Sequence, residues 1–223
     1  MVKNLASELT PPILMRALAA MRRWIRGESP DHEPPGVRGA DWYNQAYEHV
    51  PNYRQHYTKS RYYFVWTVIA DRILRAGAQK VIDLGCGSGQ FALLLHDKHL
   101  REYYGLDFSS KSIEMAKQRC PFYRFDVVDL AQSNILDEEC YDCVVSLEFL
   151  EHVEFDLELI GRIKRGTKFF GMVPNFPYTS HVRHFTNEAE VQARYGHLFS
   201  DCRVDQFLEN LELIFFLIEG VKC

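Results

Sequence analysis

Val81-Ile82-Asp83-Leu84-Gly85-Cys86-Gly87-Ser88-Gly89-Gln90-Phe91 is the stretch on which the fold turns. It runs from a short apolar segment, through glycines at alternate positions, into a second apolar segment that can open a helix near Gln90. Strand, glycine loop and helix in that order form the crevice design of doubly wound α/β sheets. Glycine there reaches backbone angles closed to other residues and lets the main chain approach a ligand. Asp107 closes the next strand candidate, about twenty residues past the glycines, where an acidic side chain can accept both hydroxyls of a ribose. The spacing is G-x-G-x-G, preceded by Asp83. A pyrophosphate at a helix N-terminus favours G-x-G-x-x-G instead, so the loop disfavours a dinucleotide and with it an NAD oxidoreductase.

Outward from this stretch the pattern is regular. Strand candidates at Lys80–Leu84, 103–106, 122–125, Cys143–Leu147 and 168–173 are separated by segments that can hold helices. Buried strands alternating with helices imply a parallel sheet covered on both faces. Two last candidates, 202–207 and 211–218, are joined only by a short turn around Glu209-Asn210 and should pair antiparallel. Upstream, Ser60 can cap a helix running to about Arg75, with Gly77 as its stop.

Residues 83–89 together with Asp107 resemble the class I S-adenosylmethionine-dependent methyltransferases, and the likeness extends over roughly residues 57–223. It implies a seven-stranded, mostly parallel, Rossmann-like sheet of order 3-2-1-4-5-7-6, and S-adenosylmethionine as cofactor. It further implies that Asp83, Gly85, Gly87 and Gly89 surround the methionine portion and that Asp107 holds the ribose. An acidic residue after the third strand should meet the adenine amino group. Asp126 matches that position, with Asp129 as the fallback and a strand-end turn as the structural alternative. Intact Asp83, Gly85, Gly87, Gly89 and Asp107 argue against a scaffold that has lost its chemistry.

The acceptor side is expected beyond the fourth and fifth strands. The fourth strand and its sequel, from Tyr141 to Val153, with Glu-His after the strand, are similar to the small-molecule branch of the family and should form the far wall of the cofactor site. The loop from Val173 to Phe185 leads to a helix capped by Thr186 or Asn187. His184 and His181 in that loop are the catalytic candidates as proton acceptors, His184 first because it stands between Arg183 and Phe185. Arg183 can pair with a carboxylate or phosphate on a substrate. No metal is expected in this reading. The competing one takes Glu148, Glu151 and His152, at i, i+3 and i+4 on one helical face, with His181 or His184 as a further ligand. Small RNA 3'-end 2'-O-methyltransferases carry a similar pattern, which would make this a metal-dependent RNA 2'-O-methyltransferase.

Composition narrows the partners. Lys and Arg number 26 against 30 Asp and Glu, a formal net charge of -4, so no global positive field draws the chain to nucleic acid. A small-molecule hydroxyl or amine, such as a sugar, a lipid-linked saccharide or another metabolite, is the expected acceptor. Six scattered cysteines and no secretory leader point to a cytoplasmic protein with reduced thiols, and Cys140 and Cys143 are expected to serve core packing. Residues 1–56 are expected to form a helical and aromatic extension and lid on a 57–223 domain. Within the extension, Leu14, Leu18, Met21 and Ile25 recur at helical spacing opposite Arg16, Arg23 and Arg26. Such a helix can pack on the domain or touch an anionic membrane surface peripherally. Residues 27–39 read as a linker. The aromatics from Trp42 to Tyr63 read as a lid, a docking segment or plain helix packing.

Overall fold

The strands that the apolar runs marked assemble into one sheet because the central ones are buried on both faces and must be covered on both. In the computed structural model, which describes residues 35–209 and 212–223, the strands are β1 (Lys80–Leu84), β2 (Glu102–Asp107), β3 (Arg124–Val127), β4 (Cys143–Leu147), β5 (Lys168–Pro174), β6 (Phe199–Leu208) and β7 (Ile214–Lys222). Their order is β3-β2-β1-β4-β5-β7-β6. Pairs β1/β2, β1/β4, β2/β3 and β4/β5 are parallel, while β5/β7 and β6/β7 are antiparallel. The expected seven-stranded Rossmann-like sheet is the observed one.

Side-chain alternation divides the core in two. Val81, Cys143 and Val145 point to one layer and Ile82, Leu84 and Val144 to the other. The first layer is closed by α2 (Tyr63–Arg75), α3 (Gln90–Asp97) and α4 (Ser110–Arg119), through Ile69 and Ile73, Phe91 and Leu95, and Ile113 and Ala116. The second is closed by α6 (Asp156–Gly161) and α7 (Glu188–Tyr195), through Leu159, Ile160, Val191 and Tyr195. A short α5 (Ile135–Glu138) adds Leu136. Before them all comes α1 (Ala40–His49). Each fully buried Leu or Ile here contributes ~1.5–3 kcal/mol relative to exposure. Since β1 lies between β2 and β4, the chain crosses over in opposite directions on its two sides, and the crevice opens at the carboxyl ends of β1 and β4.

Several boundaries differ from the sequence expectation for local reasons. Helix α2 starts at Tyr63, because the Ser60 hydroxyl accepts the Tyr62 N–H (3.2 Å) in a tight turn instead of capping the helix. Gly77, at φ 74°, does end the segment. Strand β3 starts at Arg124, since Phe122 sits in a turn, 69% exposed and stacked on His96. Strand β7 starts at Ile214, whose N–H is taken by the Asn175 side chain (2.8 Å). Asn187, not Thr186, caps α7 by accepting the Glu190 N–H (3.0 Å). All six cysteines are free; Cys143 is a core residue, but Cys140 is exposed and packs no core. The amphipathic segment 11–26 lies outside the described residues, as does its membrane contact. No described helix is long and apolar enough to cross a membrane.

Candidate active site

The glycine loop carries its three expected glycines at φ 78° (Gly85), 53° (Gly87) and 75° (Gly89). Space as well as angle demands glycine here. A Cβ on Gly85 would lie 2.5 Å from the Phe149 ring, one on Gly87 2.9 Å from the Tyr47 hydroxyl, and one on Gly89 3.0 Å from the Ala116 Cα. The loop is tied to β2 by Gly85 and Cys86 N–H groups donating to the Leu106 carbonyl (2.8 and 3.0 Å). Asp107 is 6% exposed and accepts the N–H groups of Gly87 (3.0 Å) and Ser109 (2.9 Å); burial raises its pKa while these bonds oppose the shift. Asp83 accepts the Tyr103 hydroxyl on one oxygen, and its other oxygen is buried with no partner. Its pKa is pushed up to about 7, mainly by burial. These five residues converge on the crevice. Asp126 is differently placed: its carboxylate accepts from the Tyr104 hydroxyl (2.8 Å) and Arg124 Nε (3.0 Å). Asp129 accepts the Ala131 N–H and is exposed.

Helix α1 roofs the crevice. Asn44 Oδ1 accepts from the Ser109 hydroxyl (2.8 Å) and the Lys111 N–H (3.1 Å) at the start of α4, Tyr47 meets Gly87, and the Tyr43 ring packs on Phe108. The turns that follow, Pro51–Arg54 and Tyr57–Lys59, are held from below. Ser88 Oγ donates to the Tyr53 carbonyl (2.8 Å), Gln90 Nε2 to those of Asn52 (3.2 Å) and Gln55 (2.9 Å), and Arg119 to that of Tyr53 (2.7 Å).

On the far wall the predicted helical face does not form. Glu148 takes a left-handed backbone (φ 55°), which costs a non-glycine residue ~1–2 kcal/mol, and Leu150–His152 is a single tight turn. The segment therefore separates Glu148 from the group that does gather: Glu151, His152 and His181, whose ligand-type atoms all lie within 4.8 Å of one another. Both Glu151 oxygens are buried without a hydrogen-bond partner, and burial holds its pKa well above the usual carboxylate range. His152 Nδ1 lies 2.9 Å from the Ser180 carbonyl and 3.0 Å from the Tyr43 hydroxyl. Burial lowers His152 to about 4 and His181 to about 3, so both imidazoles are neutral. His181 Nδ1 is 3.1 Å from the Phe176 carbonyl; His184, three residues on, is exposed. Arg183 is not available to a substrate in the way expected. It is paired with buried Asp156 (3.3 Å) and donates to the carbonyls of Leu150 and Val153. Asp156 also accepts two bonds from Arg194 (2.8 and 2.7 Å) and one from Tyr195 (2.7 Å). That network locks the His181 loop against the turn bearing His152.

The sequence profile of a family described as "Methyltransferase domain" matches residues 76–199, which contain the glycine loop, Asp107 and the far wall. The chain belongs to this methyltransferase family. Solved structures agree on the fold. This methyltransferase is similar to magnesium protoporphyrin IX methyltransferase (ChlM) from Synechocystis PCC 6803 with bound SAH, at 19% identity over 96% of this chain and 100% of that one, with a TM-score of 0.57. It is also similar to N-methyltransferase NodS from Bradyrhizobium japonicum WM9 in complex with S-adenosyl-L-homocysteine, at 13% identity over 81% and 97% of the two chains (TM-score 0.61). A third likeness is to the methyltransferase domain of bacterial CtHen1-C, at 19% identity over 70% and 96% (TM-score 0.53). A comparison with curated protein sequences finds no match. ChlM and NodS were solved with S-adenosylhomocysteine bound, and the crevice here has features that suit such a group: one Asp83 oxygen is buried without a partner, and the loop that follows carries glycines that leave no room for side chains.

Tyr43, Asn44 and Tyr47 are the site residues that sequence reasoning did not single out. Their signal was the aromatic density after Trp42, which marks a covering segment without saying which ring points inward.

Proposed function

We propose that this methyltransferase transfers the methyl group to a hydroxyl or amine of a small-molecule acceptor. The observation that carries this is cover: α1 lies over the glycine loop, and its Tyr43 hydroxyl meets half-buried His152 beside buried His181 on the locked loop after β5. A covered site of this kind suits a small guest and limits water, which strengthens polar contacts beneath the cover. Two arginines on the elements around this site are already paired, Arg183 with Asp156 and Arg61 with Glu209, which fits an acceptor without a large anionic backbone. When bound, the cofactor supplies an electrophilic methyl carbon on a sulfonium. Asp83, Gly85, Gly87 and Gly89 surround its methionine portion, and Asp107 holds the ribose. Asp126 remains the adenine candidate, with a carboxylate that must exchange the Tyr104 hydroxyl for the adenine amino group. His181, neutral and with Nδ1 beside the Phe176 carbonyl, presents Nε2 to the acceptor and orients it; His184 stands at the exposed rim. Residues 35–56 act as the lid, and six free thiols support a cytoplasmic setting.

A second reading, cation-assisted methylation of RNA, draws on the Glu151, His152 and His181 group with its unpartnered carboxylate. One experiment separates the two. The protein is incubated with labelled S-adenosylmethionine and either a panel of small hydroxyl and amine metabolites or short RNAs, each with and without a chelator. Label in a small molecule, indifferent to chelator, is expected. Chelator-sensitive label in RNA alone would replace the first reading with the second.

A further inference from the structure

Tyr47 lies on α1 with its ring packed on Tyr53, centroids 4.4 Å apart. The tip of its side chain is aimed at the middle of the glycine loop, where a Cβ on Gly87 would come within 2.9 Å of the hydroxyl. The residue is 8% exposed, and a tyrosine hydroxyl so placed ordinarily has a hydrogen-bond partner. Other tyrosines of the cover follow that rule: Tyr43 meets His152 Nδ1 (3.0 Å), and Tyr57 donates to Asp97 (2.7 Å). Tyr47 departs from it. No hydrogen bond joins its hydroxyl to any described residue.

The crevice below offers acceptors. Asp107 takes the Gly87 and Ser109 N–H groups and has lone pairs to spare, and Asp83 keeps one buried oxygen unpartnered. These carboxylates suit the hydroxyls and the amine of a ligand. A carboxylate on the same ligand is repelled by the Asp107 charge and needs a donor. Arg119 reaches the loop at Ser88, but it bonds the Ser88 carbonyl and hydroxyl and the Tyr53 carbonyl. The Tyr47 hydroxyl is a donor held in reserve. Burial, and after it the Asp107 charge, raise its pKa well above the ordinary tyrosine value, so it keeps its proton at any working pH.

We infer that the Tyr47 hydroxyl donates a hydrogen bond to the carboxylate at the amino-acid end of the cofactor, which thereby ties α1 to the glycine loop. This rests on the reading above in which Gly87 borders the methionine portion. Within the chain, α1 is attached to the start of α4 through Asn44 and to the far wall through Tyr43. Between those two attachments it meets the loop at Gly87 by contact alone. A hydroxyl bonded to a carboxylate is roughly twice as strong as a neutral pair, so the cofactor supplies the middle fastening. Tyr47 then acts as a gauge as well as an anchor. Adenosine fragments that lack the amino-acid end enter the crevice without fastening the cover, and the complete cofactor fastens it.

The test measures binding, with the full chain as wild type and as Tyr47→Phe. Two ligands are compared: S-adenosylhomocysteine and its decarboxylated analogue, which keeps the amine and lacks only the carboxylate. Phenylalanine retains the ring that packs on Tyr53, and the hydroxyl it removes has no partner in the chain, so melting temperature should hold or rise. By calorimetry, Tyr47→Phe should weaken S-adenosylhomocysteine about 10- to 100-fold and the analogue less than about threefold. Hydrogen exchange across Ala40–His49 should slow when wild type takes up S-adenosylhomocysteine, and slow far less with the analogue or in Tyr47→Phe. Unchanged affinity for S-adenosylhomocysteine in Tyr47→Phe overturns the inference. So does an equal loss for both ligands, which would assign the hydroxyl to the ribose or to packing. Either result leaves the proposed function standing, whereas a wild type that binds neither ligand fells that function and the inference together.

Discussion

Replacing Asp107 with Asn preserves the outline of the side chain and removes its charge, which isolates what the carboxylate does. In the structure its two oxygens accept the Gly87 and Ser109 N–H groups, at 3.0 and 2.9 Å. An Asn amide offers one oxygen, so one of these donors loses its partner, at a cost of ~0.5–1.5 kcal/mol to the unliganded fold. The larger effect falls on the cofactor. A charge-assisted pair with the ribose hydroxyls is worth ~1.5–3 kcal/mol, so Kd for S-adenosylhomocysteine should rise about 10- to 150-fold. By mass action, ligand at 100 times the wild-type Kd stabilises the wild type by ~2.7 kcal/mol, and a thirtyfold weaker variant by under ~1 kcal/mol. The ligand-induced rise in melting temperature should accordingly shrink by roughly 4–7 °C for a chain of this size. Titration calorimetry gives Kd directly and a thermal melt with and without ligand checks it. An Asp107→Asn protein that binds S-adenosylhomocysteine as tightly as wild type would refute the placement of the ribose.

Two further predictions concern the loop and its neighbour. Gly87→Ala adds a Cβ 2.9 Å from the Tyr47 hydroxyl at φ 53°; the tyrosine tip can yield, so the fold should survive at a cost of ~1–2 kcal/mol. Cofactor affinity should nevertheless drop at least about tenfold, and hydrogen exchange should quicken across Ala40–His49; normal affinity would mean that the loop does not approach the ligand. For Asp83, the folded protein holds the proton up to about 7 against an ordinary 3.8, so its contribution is fully present below pH 3.8 and is lost as pH rises through about 7. The gap is worth roughly 4 kcal/mol as an order of magnitude. Scanning calorimetry of the unliganded protein should find Asp83→Asn more stable than wild type above neutrality, with a flatter pH dependence; parallel curves for the two proteins would sink this account.

The sheet was legible because strands buried on both faces write themselves as unbroken apolar runs, and β1 and β4 matched their expected bounds to the residue. Their order came from resemblance, since no local pattern says which strand lies beside which. On the far wall, i, i+3, i+4 spacing misled: it presumes a continuous helix, and one left-handed residue at Glu148 cancels the periodicity. Nor could the sequence tell His181 from His184. In a loop without a repeat, inward and outward are decided by distant contacts, here the pairing of Arg183 with Asp156 and the bond from the Val182 N–H to the Glu151 carbonyl (2.8 Å). The same pairing turned Arg183 from an expected substrate contact into a brace. Ser60 failed as a cap because a hydroxyl can serve a turn and a helix start equally well, and the chain used the turn.

The covering turns from Pro51 to Lys59 are gripped by Ser88, Gln90 and Arg119 entirely through the carbonyls of Asn52, Tyr53 and Gln55. A grip on main-chain oxygen is blind to side-chain identity, and each of those residues would offer the same carbonyl whatever its type. Mutational drift in the cover can therefore alter what it shows to an incoming molecule while the clasp beneath stays closed. Apart from Tyr53, packed on Tyr47, and Tyr57, anchored in the core, the cover is a replaceable faceplate whose outward face can change without disturbing the glycine loop it clasps.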